Sequence, residues 1–126
     1  MTIPVYFING FLESGKTEFI NYTIEEDYFK IDELTLIIAC EDGEVEYDPE
    51  ALYNGNAVLE RLDAETDFTI KNLTALAKKH DPERIIIEYN GMWTIDHMVE
   101  ALEGTPLMIF QTIVSANIAA SLGKNR

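Results

Sequence analysis

Residues 84–89 read RIIIEY, three consecutive isoleucines between charged residues. A strand with one wet face alternates apolar and polar side chains, so an unbroken β-branched run fits a strand covered on both faces. Residues 34–40 (LTLIIAC) repeat that pattern, and residues 4–9 (PVYFIN) and 107–114 (LMIFQTIV) are also strand-length and mostly apolar. Helical spacing fills the intervals. From residue 16 onward Phe19, Ile20, Thr23 and Ile24 share one side; Ile70, Leu73, Leu76 and Ala77 form a second stripe; Ile95, Met98, Val99 and Leu102 form a third, closing near Gly104. Thr66 or Asp67 is placed to cap the second helix, with Asp81 and Pro82 ending it. Residues 56–62 fit a short strand or a loop equally, and residues 41–50 (EDGEVEYDPE) read as an acidic loop. Strands alternating with helices predict an α/β fold, a three-layer sandwich with a largely parallel sheet that binds ligands at the carboxyl ends of its strands.

Bulk properties narrow the function. The 126 residues suit a single domain, residues 1–126, with one core. A net charge of -14 argues against nucleic acid, whose binding depends on Lys and Arg displacing counterions. No apolar run approaches a membrane span, and the N-terminus has no signal-peptide pattern, so the expectation is a cytoplasmic protein that does not engage membranes. Cys40 is the one cysteine, and only His80 and His97 join it as soft ligands, which argues against structural zinc. Neither histidine belongs to a nucleophilic triad motif. Asp63, Glu65 and Asp67 do not follow an EF-hand order and read as a solvated helix start.

The first strand-like run ends in a motif. Residues 10–17 read GFLESGKT, matching G-x-x-x-x-G-K-[ST] between a strand pattern and a helix pattern, the context that supports a Walker A phosphate loop. Its four fixed positions would arise by accident in well under about 1% of chains of this length. Gly10 and Gly15 let the backbone curl so that successive N–H groups converge on phosphate, aided by the helix start. Lys16 supplies charge at the β- and γ-phosphates, and the Thr17 hydroxyl is a ligand for Mg²⁺. Ser14 and Glu13 complete the loop, with the Glu13 carboxylate expected to face outward while the backbone faces the phosphates.

With this loop the chain resembles the CobW-like branch of the CobW/UreG/HypB P-loop GTPases. The opening IPVYFINGFLESGKTEFINYTI is similar to that branch's strand, G-F-L-x-x-G-K-T and helix. CEDGEVEYD, residues 40–48, is similar to its switch segment N-E-F-G-E-x-x-x-D at Glu41, Gly43, Glu44 and Asp48. IIIEYNG, residues 85–91, resembles its Walker B strand and E-x-x-G at Glu88 and Gly91, and FQTIVSA occupies the place of a following strand that usually ends V-V-D-A, with Ser115 at the aspartate position. The resemblance implies Lys16 and Glu88 as catalytic residues, Gly10, Glu13, Ser14, Gly15, Lys16 and Thr17 around the nucleotide, and Thr17, Asp48 and Glu88 around Mg²⁺. For Glu88 the competing reading is an ordinary strand-end carboxylate; for Glu41 and Asp48 it is a solvated loop.

The chain departs from the family in three respects. Residues 61–69 lack the family's metal-binding C-x-C-C. The guanine-selecting N-K-x-D is missing, so the preference for GTP rests on the resemblance and ATP stays open. The family's domain is longer, so the chain reads as apparently truncated. The expected function is Mg²⁺-dependent binding and slow hydrolysis of a nucleoside triphosphate in a protein of metal or cofactor handling. A protein partner would meet the switch loops at residues 41–48 and 88–93, and a homodimer is left open. The alternative is a non-catalytic interaction module on the same fold; a metal chaperone using carboxylates and histidines is a third reading.

Overall fold

The computed structural model describes residues 2–9, Ile20, 34–40 and 47–114. Strand β1 spans Ile3–Asn9, β2 Thr35–Ala39, β3 Ala57–Arg61, β4 Arg84–Glu88 and β5 Leu107–Val114. Helix α1 spans Pro49–Asn54, α2 Ile70–His80 and α3 Ile95–Glu103, with a single 3₁₀ turn over Glu65–Asp67. The strands form one sheet in the order β3-β2-β4-β1-β5, and every neighbouring pair is parallel. The isoleucine run is accordingly the centre of the sheet. Ile85, Ile86 and Ile87 are buried because β2 and β1 flank them and a helical layer covers each face.

Alternation along the strands divides the core in two. Val5, Phe7, Leu36, Ile38, Ile85 and Ile87 face α2 and α3, which bring Leu73, Ala77, Met98, Ala101 and Leu102. Ile8, Ile37, Ala39 and Ile86 face the other way, toward Ala51 of α1, Tyr47 and Ile20, which is itself helical. The distribution follows from right-handed crossovers. From β2 the chain moves outward to β3 and places α1 on one face. From β3 to β4 and from β4 to β5 it moves the opposite way across the sheet, so α2 and α3 lie on the opposite face. These are the three layers and the P-loop NTPase-like α/β architecture that the sequence predicts. Where β5 runs along β1 the register shifts between Val5 and Tyr6, a bulge at a sheet edge.

Local chemistry sets the helix ends. The Thr69 hydroxyl accepts from Asn72 N–H at 3.2 Å and starts α2; Asp81, with φ 46°, ends it. The Thr94 hydroxyl does the same for α3, accepting from His97 N–H at 3.2 Å. The predicted cap at Thr66 or Asp67 is therefore corrected: the 3₁₀ turn occupies those residues, and Phe68 is inserted into the core before the helix begins. The undecided segment at 56–62 contains a strand, Ala57–Arg61, half-buried because it is the sheet edge. Residues 48–50 of the expected acidic loop belong instead to a helix start, since Asp48 caps α1 and Pro49 opens it. In α3 the buried stripe is Met98, Ala101 and Leu102, while Ile95 and Val99 remain 45% and 42% exposed. His80 at the end of α2 places its Nε2 2.7 Å from Glu60 Oε2 on β3, and Lys79 Nζ donates to the same oxygen at 2.9 Å. No helix among the described residues is long and apolar enough to cross a membrane.

Candidate nucleotide site

The carboxyl ends of β3, β2, β4 and β1 are level. Arg61 pairs with Ala39, Ala39 with Glu88, and Glu88 with Ile8, forming one row across the sheet. The ladder continues just past it, with Cys40 N–H donating to the Glu88 carbonyl at 2.9 Å and Tyr89 N–H to the Ile8 carbonyl at 2.8 Å. The backbone of Glu88 is thus held on both sides, and alternation sends its side chain to the face of Ile86, Ile8, Ala39 and Tyr47. Asn9 follows Ile8 and ends β1, so the sequence GFLESGKT begins immediately beyond this row.

Glu88 is 1% exposed. A carboxylate removed from water requires polar partners, because the lost hydration is otherwise uncompensated. One partner is Tyr47, whose hydroxyl donates to Glu88 Oε1 at 3.0 Å across 41 positions of sequence. Burial raises the Tyr47 pKa, and the neighbouring negative charge of Glu88 and the hydrogen bond to it raise it further. The phenol therefore stays protonated and can only donate to the carboxylate in this contact. Arg61, on the same face at the end of β3, exerts the opposing electrostatic influence on Tyr47.

Tyr89 points the other way. Its ring meets Phe7 at 5.2 Å, Phe68 at 5.3 Å and Trp93 at 5.5 Å between centroids, and its hydroxyl donates to the Thr94 carbonyl at 2.6 Å. Burial, followed by the nearby Glu65 charge, raises its pKa. In the turn after β4, Asn90 Oδ1 accepts from Met92 N–H at 2.8 Å, and Trp93 N–H donates to the Asn90 carbonyl at 3.0 Å. The Tyr89–Trp93 pair thus packs against the core, leaving Met92 as the exposed apolar residue of this turn. Glu65 Oε2 accepts from Thr94 N–H at 3.1 Å, and the Glu65 carbonyl accepts from His97 Nε2 at 2.9 Å, so that ring nitrogen carries a proton.

Of the residues singled out by sequence, Glu88 lies at the sheet's carboxyl edge as its strand-end position requires. Asp48 is exposed, adjoins Tyr47 in sequence, and caps α1 by accepting from Glu50 N–H at 3.0 Å. Gly10, Glu13, Ser14, Gly15, Lys16 and Thr17 lie outside the described residues, as do Glu41, Gly43, Glu44, Ser115 and the chain's tail. Among the described residues no group of three or more His, Cys, Asp or Glu side chains is arranged to hold a metal ion. Cys40 is buried, in the core cluster that faces α2 and α3.

Sequence reasoning missed Tyr47 and left Arg61 without a place. A signal for Tyr47 was present: it precedes the Asp48 cap, and Leu52 follows at the position where an apolar residue packs back on the one before the cap. Both belong to the same core cluster. For Arg61 the sequence offers only its position at the end of an uncertain strand.

No curated protein and no solved structure matched the chain. The family model described as CobW/HypB/UreG, nucleotide-binding domain, matches residues 4–120. That span includes the phosphate-loop sequence, the buried Glu88 and every strand of the sheet save the first residue of β1. The chain belongs to the CobW/HypB/UreG family, by way of its nucleotide-binding domain.

Proposed function

We propose that the chain binds a nucleoside triphosphate, GTP by family resemblance, together with Mg²⁺, and hydrolyses it slowly as the G domain of a CobW-like protein of metal or cofactor handling. The observation that carries this reading is the level pairing of Glu88 with Ile8, which puts a buried carboxylate at the strand end from which GFLESGKT departs. A hard carboxylate oxygen suits Mg²⁺, which is commonly held by one or two protein oxygens together with water and phosphate.

In this reading residues 10–17 hold the phosphates with backbone N–H groups, Lys16 adds a positive charge, and Thr17, Glu88 and Asp48, which adjoins Tyr47 in sequence, surround Mg²⁺. Mg²⁺, when bound, neutralises charge developing on the transferred phosphoryl group. A chain with a net charge of -14 repels a free polyphosphate at long range, so neutralisation by Lys16 and the cation is the condition for binding. Arg84 opens β4 at the end opposite Glu88, where its Nε donates to the Thr35 hydroxyl at 2.8 Å, so it has a structural role away from the proposed site.

Isothermal titration of GTP and ATP into the intact chain, with and without Mg²⁺, tests the assignment. Lys16→Ala removes charge-assisted hydrogen bonds of about 1.5–3 kcal/mol, so affinity should fall roughly 10- to 100-fold. No binding by the intact chain, or equal binding by the variant, rejects the reading.

A further inference from the structure

Tyr47 is not among the residues that the phosphate-loop and Walker B motifs would assign. It stands in an otherwise acidic stretch, yet it is 7% exposed and joins the cluster of Ile8, Ile20, Ile37, Ala39 and Ala51. Its hydroxyl is the donor to Glu88 Oε1. Two neighbouring features fix the ring from which that hydroxyl projects. Asp48, the next residue, is locked as the cap of α1, and Leu52 of α1 packs in the same cluster. On the other side of the contact, Glu88 is held at its backbone by β2 and β1. A donor on one anchored element therefore meets a carboxylate whose backbone is anchored on another.

We infer that Tyr47 is a positioning residue for the Mg²⁺-nucleotide site, orienting the Glu88 carboxylate through its hydrogen bond to Oε1. This rests on the nucleotide-site reading given above. Glu88 has several torsions, and a carboxylate that turns away from the cation's water shell must be reordered each time the cation binds. The phenol restricts that rotation in advance. Partners that orient a metal-binding carboxylate in this way typically account for 10- to 100-fold in metal affinity. The donor also ties the sequence just after residues 41–46 to the Walker B strand, so the rigidity of the carboxylate depends on the seating of α1.

The discriminating variant is Tyr47→Phe, which keeps the ring and deletes the hydroxyl. GTP binding is titrated against MgCl₂ for the intact chain, Tyr47→Phe, Glu88→Gln and the double variant, with melting curves of each. The inference predicts that Tyr47→Phe raises the Mg²⁺ concentration needed for half-maximal GTP binding by roughly 10-fold or more. It also predicts that the same substitution has almost no further effect in the Glu88→Gln background, since its influence passes through that carboxylate. The double variant removes donor and buried charge together, so it keeps the comparison available if Tyr47→Phe alone folds poorly. An unchanged Mg²⁺ dependence in Tyr47→Phe, or an equal loss in both backgrounds, overturns the positioning role while the nucleotide site stands. If the intact chain binds no GTP at any Mg²⁺ concentration, the nucleotide reading falls and the inference falls with it.

Discussion

Replacing Ile85 with alanine removes three carbons from the middle of the sheet. Ile85 is 0% exposed, pairs in register with Val5 on one side and Leu36 on the other, and faces the layer formed by α2 and α3. At ~0.8 kcal/mol per buried carbon the transfer contribution is about 2.4 kcal/mol. The sheet backbone on both sides is held by ladder hydrogen bonds and cannot collapse fully into the space, so a cavity contribution brings the loss to about 3–4 kcal/mol. Against a typical stability of roughly 5–15 kcal/mol this leaves a folded but much weakened domain, with its melting midpoint lower by roughly 10–20 °C. Urea titration followed by circular dichroism and by the fluorescence of Trp93, the one tryptophan, measures the change. The side chain lies on the face opposite Glu88 and three residues before it, roughly 10 Å along the strand. Nucleotide affinity measured well below the midpoint should therefore be nearly unchanged. A stability loss below about 1 kcal/mol would refute the claim that the face of β4 toward α2 and α3 is closely packed.

Two other substitutions address separate parts of the account. The hydrogen bond from His80, then that from Lys79, lowers the Glu60 pKa below its ordinary value of 4.5. A depressed carboxyl stabilises the fold above that ordinary value and loses its contribution as pH falls through the lower folded value. Glu60→Gln should therefore lower stability near neutral pH by less than about 1 kcal/mol, because the site is partly solvated. The difference should disappear in acid, as read from urea midpoints across pH; a constant difference would contradict it. Tyr89→Phe keeps the ring contacts but leaves the Thr94 carbonyl without its 2.6 Å donor. It should lose about 1–1.5 kcal/mol in urea titrations while retaining the environment of Trp93.

What was legible in the sequence follows from how local each determinant is. The run at Ile85–Ile87 announces a doubly covered strand because burial on both faces needs only apolar side chains, and this is the centre of the sheet. The Asp48-Pro49 start of α1 was equally local but was passed over among the surrounding acids. Residues 57–61 were ambiguous because an edge strand is only half-buried and its sequence carries Glu60 and Arg61. The cap of α2 was misplaced at Thr66 or Asp67, since several polar residues qualify locally and the burial of Phe68 decides among them. Tyr47 and Glu88 form the least legible pair. Their contact spans 41 positions and depends on β2, β4 and α1 all being assembled.

The proposed role of the carboxyl edge bearing Glu88, in a Mg²⁺-dependent nucleotide site, is open to measurement. The most direct measurement is calorimetric titration of GTP into the intact chain in excess Mg²⁺ and again in excess EDTA, repeated with Lys16→Ala. Saturable binding with Mg²⁺, much weaker binding in EDTA, and a loss of roughly 10- to 100-fold in the variant are expected. Absence of binding in Mg²⁺, or equal affinity with and without the lysine, would contradict it.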